Sequence, residues 1–122
     1  MLKRIIDTEF VDISTDSIIS RGKLRAFLND GSFIDVWFSL KITGRFSYHW
    51  ERRHIDGSMY RHDNFPDINW QSVSTYPKHF HNGSQNAVRE SYLNNDPSIS
   101  LRQFMEFVRS QLAKQAIKSC DP

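Results

Sequence analysis

The stretch KLRAFLNDGSFIDVWFSLK, residues 23–41, decides the fold. Its first half alternates, with Leu24, Ala26 and Leu28 on one side. Its second half alternates too. Ile34, Val36, Phe38 and Leu40 share one face, and Phe33, Asp35, Trp37 and Ser39 share the other. Period-two alternation is the mark of a strand with one buried side. Between the halves stands Asp30-Gly31. Asp-Gly between two such runs signals a hairpin, because both central positions of a type I′ turn need positive φ. The apolar set containing Val36 is the expected core face.

The pattern continues downstream. Thr43-Gly44 turns the chain, and residues 45–52 form a third strand. There Phe46, Tyr48 and Trp50 point one way, and Arg45, Ser47, His49 and Glu51 the other. Asp56-Gly57 turns again into a short strand at 58–63, so neighbours in sequence pair as a meander. Pro66 ends that strand, since proline cannot donate to a ladder. Residues 65–78 are irregular and wrap across the sheet or its edge. Residues 76–82 pair briefly as an edge segment, and 84–94 are extended. Leu101, Phe104, Met105, Val108 and Leu112 then recur at helical spacing. They predict a helix over 100–118, begun by a Ser100/Gln103 capping box or at Asp96-Pro97 or Ser98. Upstream, residues 4–13 read as a strand and 14–21 as a turn or short connection. The expected fold is α+β: a single domain, 1–122, with an antiparallel β-meander of four to six strands and a C-terminal helix packed on one face.

Composition bounds the function. The 122 residues carry a formal net charge of +2, which permits nucleic acid as a partner without demanding it. One cysteine, Cys120, excludes a disulfide framework and a cysteine-rich metal site, and fits a reducing cytoplasm. Charged residues follow the N-terminus at once, so no signal-peptide core is expected there. No apolar run is long enough for a membrane helix, and no membrane partner is expected. There is no glycine-rich phosphate loop, no nucleophile elbow and no basic face on the C-terminal helix.

All five histidines lie between Arg45 and Gly83. Arg61 and Asp63 share a strand face, and His62 points to the other with Tyr60 and Asn64. If strands 45–52 and 58–63 pair, His49, Arg61 and a carboxylate gather on one side. Histidine titrates near neutral pH and arginine stabilises phosphoryl charge, so such a set suits work on a phosphodiester. The bland alternative is a charged cross-strand pair on a solvated face. His79 and His81 project together from an extended segment. That spacing suits two acid–base groups, metal ligation completed by His62 and Asp63, or plain exposure. Trp37 faces away from the core set. It is either available to a base or part of a smaller core under the 65–78 segment.

The residues Ser47-Tyr48-His49-Trp50, Arg61-His62-Asp63-Asn64-Phe65-Pro66 and Tyr76-Pro77-Lys78-His79-Phe80-His81 resemble those of the TumE-like proteins, toxin components of small prokaryotic toxin–antitoxin pairs. The resemblance covers about 23–115. It implies a toxin with a DNA-binding antitoxin partner. There are departures: Asp67 and Lys78 stand where histidines are common in that family, and His62 where it has an aromatic.

Together these readings give a catalytic candidate set of Arg61, Asp63, Asn64, His79 and His81, with His49 and His62 behind them. Arg45, Lys78 and Trp37 are the candidate contacts to RNA. No cofactor and no metal is expected. The expected activity is RNA cleavage by a His/Arg/Asp cluster. The alternatives are a non-catalytic module binding nucleic acid or protein, and a metal-dependent hydrolase.

Overall fold

A computed structural model describes residues 1–119, with side chains to Ile117; Cys120 lies outside the described residues. Seven strands form one antiparallel sheet in chain order: β1 Ser14–Ser20, β2 Lys23–Leu28, β3 Phe33–Phe38, β4 Phe46–Arg52, β5 Ser58–Asp63, β6 His79–Gly83 and β7 Val88–Glu90. Helices α1 Leu2–Glu9 and α3 Pro97–Ser119 flank the strands in sequence, and a one-turn helix, α2 Arg53–Asp56, joins β4 to β5. The α+β meander with its C-terminal helix is as expected, with one strand more than the upper expectation.

The hairpin at Asp30-Gly31 forms, but not as a type I′ turn. Leu28 N–H bonds to the Ser32 carbonyl, so three residues span the loop, and only Gly31 among them has positive φ. Asp30 serves through its side chain. It accepts from Ser32 N–H at 3.0 Å and from the buried Arg52 guanidinium. The two-residue turn with both φ positive is Arg21-Gly22, pairing Ser20 with Lys23.

The expected strand at 4–13 is instead α1 followed by a turn. Leu2, Ile5, Ile6 and Phe10 recur at three- and four-residue intervals, which places them on one helical stripe. Ile5, Ile6 and Phe10 are buried by it. The expected connection at 14–21 is β1. Residues 76–82 do not form an edge, because β6 pairs with both β5 and β7. Leu40 is fully exposed rather than core, since β3 ends at Phe38 and Ser39 Oγ accepts the N–H groups of Lys41 and Ile42 to turn the chain. Helix α3 starts at Asp96-Pro97: Asp96 Oδ1 accepts from Ser98 N–H at 2.9 Å.

The core lies between one sheet face and the two long helices. Ala26, Ile34, Val36, Tyr48 and Trp50 from the sheet meet Ile6, Leu101, Phe104, Met105 and Val108. The polar tips of the large aromatics are satisfied there. Trp50 Nε1 donates to Ser32 Oγ at 2.9 Å, and the Tyr48 hydroxyl bonds Ser100 Oγ at 2.6 Å. The opposite face is covered by neither α1 nor α3 and holds the polar residues.

Candidate functional site

Register builds the site. Arg25 pairs with Asp35, Asp35 with His49, His49 with Arg61, and Arg61 with His81. One polar row therefore crosses five strands on the face away from α1 and α3. The row two residues along pairs Ser47 with Asp63 and Asp63 with His79. Residues directly opposite on antiparallel strands have side chains in contact range, so the alternation of β4, β5 and β6 forces these groups together.

Arg61 is the hub. Its Nε donates to Asp63 Oδ2 at 3.0 Å and its Nη2 to Gln85 Oε1 at 2.9 Å. The same Nη2 lies 3.3 Å from His81 Nε2, and Nη1 lies 3.5 Å from His49 Nδ1. On the far side of Asp63, Oδ1 accepts Phe65 N–H at 3.0 Å and lies 3.3 Å from His79 Nε2. His79 and His81 are 2% and 1% exposed, and the Asp63 side chain 6%.

The two ring orientations are set from behind. His79 Nδ1 is 2.8 Å from the Pro77 carbonyl, and His81 Nδ1 is 2.8 Å from the Gln85 carbonyl. A carbonyl only accepts, so both Nδ1 atoms carry the proton and both Nε2 atoms point at Asp63. Burial pushes the His81 pKa down, against its bond to the Gln85 carbonyl, with the Arg61 charge adding to the fall. Burial is also the main cause that lowers His49, opposed by its 3.0 Å bond to Glu51. Glu51 itself is held down at about 2, chiefly by the Arg53 guanidinium.

Two cavities border the cluster. One of about 200 Å³ is lined by Arg61, Asp63, Phe65, Asp67, Trp70, His79, His81 and Gln85. The other, of about 440 Å³, lies on the far side of Arg61, between Lys23, Asp35, Trp37, Ser47, His49 and Phe65. The 65–78 segment walls both. Trp37 stacks on Phe65 at 5.7 Å, so it joins a small aromatic core under that segment, and the Arg45 guanidinium lies 5.0 Å above the same Phe65 ring.

Four of the five catalytic candidates therefore converge: Arg61, Asp63, His79 and His81. Asn64 does not join them. Its side chain is spent on the β3–β4 turn, with Oδ1 accepting Phe46 N–H and Nδ2 donating to the Gly44 carbonyl. Lys78 points elsewhere too, its Nζ 2.6 Å from the Leu93 carbonyl. His62 lies on the helix side, stacked on Phe80 at 4.1 Å and edge-on to Phe104. Burial drives its pKa down to about 3, so it is a neutral core ring. Gln85 is a member that sequence reasoning missed. The signal for it was the Asn82-Gly83 turn, which folds the next residues back over β6.

A family described as Toxin TumE matches residues 2–112. The chain belongs to the TumE toxin family. No curated protein and no solved structure gives a significant match. Membership of TumE implies an antitoxin partner. Two of the departures from the TumE-like pattern now have places. His62, expected from the resemblance to stand in place of an aromatic, sits in aromatic packing and stacks flat on Phe80. Asp67 lines the smaller cavity, and its Oδ1 accepts Asn69 N–H to start the 3-10 turn Ile68–Trp70. No described helix is long and apolar enough to cross a membrane.

Proposed function

We propose that this toxin acts in the cytoplasm by cleaving RNA at the Arg61/Asp63/His79/His81 centre, and that a DNA-binding antitoxin restrains it. One observation carries the reading: a buried imidazole pair and a carboxylate converge on an arginine in the face that neither α1 nor α3 covers. Membership of a toxin family supports it, because such a chain needs a target in the cell. The arginine is the group suited to a phosphate. Its planar fork carries a permanent charge and stabilises the charge that builds on a phosphodiester under attack. Lys23 lines the larger cavity and Arg45 lies over the Phe65 ring beside it, and both supply further positive charge along an approaching backbone. Trp37 and Phe65 offer a ring surface beside it on which a base can stack.

The test is expression of the parent and of Arg61→Ala, with growth followed in cells and RNA integrity followed with purified protein. Loss of growth arrest and of cleavage by at least about 100-fold is expected for the variant, the scale at which one transition-state charge contact counts. RNA binding without cleavage by the parent would replace this reading with a non-catalytic binding module. Arrest undiminished in Arg61→Ala would place the active surface elsewhere.

A further inference from the structure

We propose that Asp63, His79 and His81 form a binding site for one divalent transition-metal ion of the zinc class. The ligand atoms are His79 Nε2, His81 Nε2 and the Asp63 carboxylate, which all lie within 4.8 Å of one another. His79 Nε2 is 3.3 Å from Asp63 Oδ1, and His81 Nε2 is 3.8 Å from Asp63 Oδ2. Ligand bonds of about 2.0–2.2 Å at tetrahedral angles put neighbouring donors roughly 3.3 Å apart, so the His79–Asp63 spacing fits as it stands and His81 closes in on the ion.

The protonation pattern points the same way. With both Nδ1 protons given to backbone carbonyls, each ring in its neutral form presents its Nε2 lone pair to the cluster. At His79 that lone pair faces a carboxylate oxygen at 3.3 Å inside the fold. Two acceptors turned toward each other away from water repel unless a cation sits between them. The carbonyls behind the rings are the usual outer partners of ligating histidines, since they fix the tautomer and the aim of the ring. Imidazole and carboxylate together select zinc, cobalt, nickel or iron over magnesium or calcium. Three protein donors leave a position open toward the 200 Å³ cavity, as in sites that bind water or substrate at the ion.

Arg61 is the competitor. Its guanidinium now holds Asp63 Oδ2 and approaches His81 Nε2. Metal entry releases both contacts, and the half-buried side chain keeps its Gln85 bond at the cavity. Removal of Arg61 therefore strengthens metal binding, although it abolishes toxicity in the function proposed above. The metal site does not depend on RNA being the target.

The experiment is calorimetric titration of metal-free full-length protein with Zn(II), and the absorption spectrum with Co(II), in a Cys120→Ser background that removes the thiol. One equivalent should bind, with visible Co(II) bands of low coordination number. His79→Gln and Asp63→Asn, checked for fold by circular dichroism, should each weaken Zn(II) by at least about tenfold. Arg61→Met should tighten it. No saturable binding, or equal binding by parent, His79→Gln and Asp63→Asn, would overturn the site and leave a proton as the cation between His79 and Asp63. Binding together with RNA cleavage that persists in chelator would keep the site and make it structural. Binding without any cleavage would keep the site and remove the RNA reading instead.

Discussion

His62 and His81 sit on neighbouring rows of one sheet, His62 opposite Phe80 and His81 opposite Arg61, yet they belong to different chemistry. His62 turns to the helices and lies flat on a phenyl ring. His81 turns away from them and meets an arginine, a carboxylate and another imidazole. Both are buried. The difference is what each is buried among. A ring packed among aromatic rings, with Nδ1 bonded to Ser91 Oγ at 2.7 Å, is held neutral and works by shape and by that one bond. A ring surrounded by polar groups with its back proton committed to a carbonyl keeps a directed lone pair. One residue of strand alternation separates the two outcomes.

The largest expected effect comes from breaking the helix-side face. Trp50 is fully buried, stacks on Tyr60 at 5.2 Å and bonds Ser32. Trp50→Ala removes the ring, leaves a cavity and takes one donor from the Ser32 hydroxyl, which keeps its bond to Asp30 Oδ1. A loss of about 3–5 kcal/mol is expected, read from the urea midpoint. Outside the buried Asp63/His79/His81 cluster, no single substitution on the polar face should match it, because the remaining charge pairs there are partly open to water.

His62→Phe sharpens the contrast between the two histidines. The folded pKa of His62 is depressed to about 3 from 6.5. Between those values the unfolded chain binds a proton that the folded one refuses. Stability therefore falls as pH drops from about 6.5 toward 3, by at most about 1.4 kcal/mol per pH unit for this one group. Phenylalanine stacks in the same place without that acid penalty, at a pH-independent cost from the buried Ser91 hydroxyl, which loses its 2.7 Å bond to Nδ1. The variant's stability should decline less steeply from pH 6.5 to 4, while growth arrest stays at the parent level. An unchanged acid slope would mean that His62 is protonated in the folded protein.

Much of this was legible beforehand. Alternation in 23–52 put Val36, Tyr48 and Trp50 on one side and Asp35 and His49 on the other, and the structure keeps that division. The turn at 53–57 then placed Arg61 opposite His49. What failed has identifiable causes. Over residues 4–13 the β-rich composition of Ile, Phe and Val masked the stripe of helical period in α1. Arg21 hid a hairpin because arginine is an unusual residue at positive φ, and Gly22 alone did not reveal the turn. Asn64 and Lys78 are neighbours of site residues in sequence, but on a strand or at its end the neighbour faces away. Gln85 contributes a backbone carbonyl and a side-chain amide from a turn, and neither has a periodic signature.

The smallest effect is expected at the far end of the polar row. Asp35 holds Arg25 by two bonds, Nε at 2.8 Å and Nη2 at 2.9 Å, with Lys23 Nζ at 3.7 Å. Arg25 is itself about one-third exposed and also rests over the Phe33 ring at 4.1 Å. Asp35→Asn leaves one acceptor for Arg25, keeps the side-chain volume and keeps the ring contact. Exposed pairs of this kind contribute about 0–1 kcal/mol, so the urea midpoint should move by no more than that. Asp35 also pairs across the strands with His49, two strands short of His81. If the row acted as one coupled chain of charge, the substitution would reach Arg61 and reduce growth arrest. The bonds run otherwise: His49 leans on Glu51, and Arg61 on Asp63 and Gln85. Growth arrest should therefore match the parent, which confines the chemical part of the polar face to strands β5 and β6 and the loops that wall them. A fall in arrest with an unchanged urea midpoint would extend the site along the row to β3.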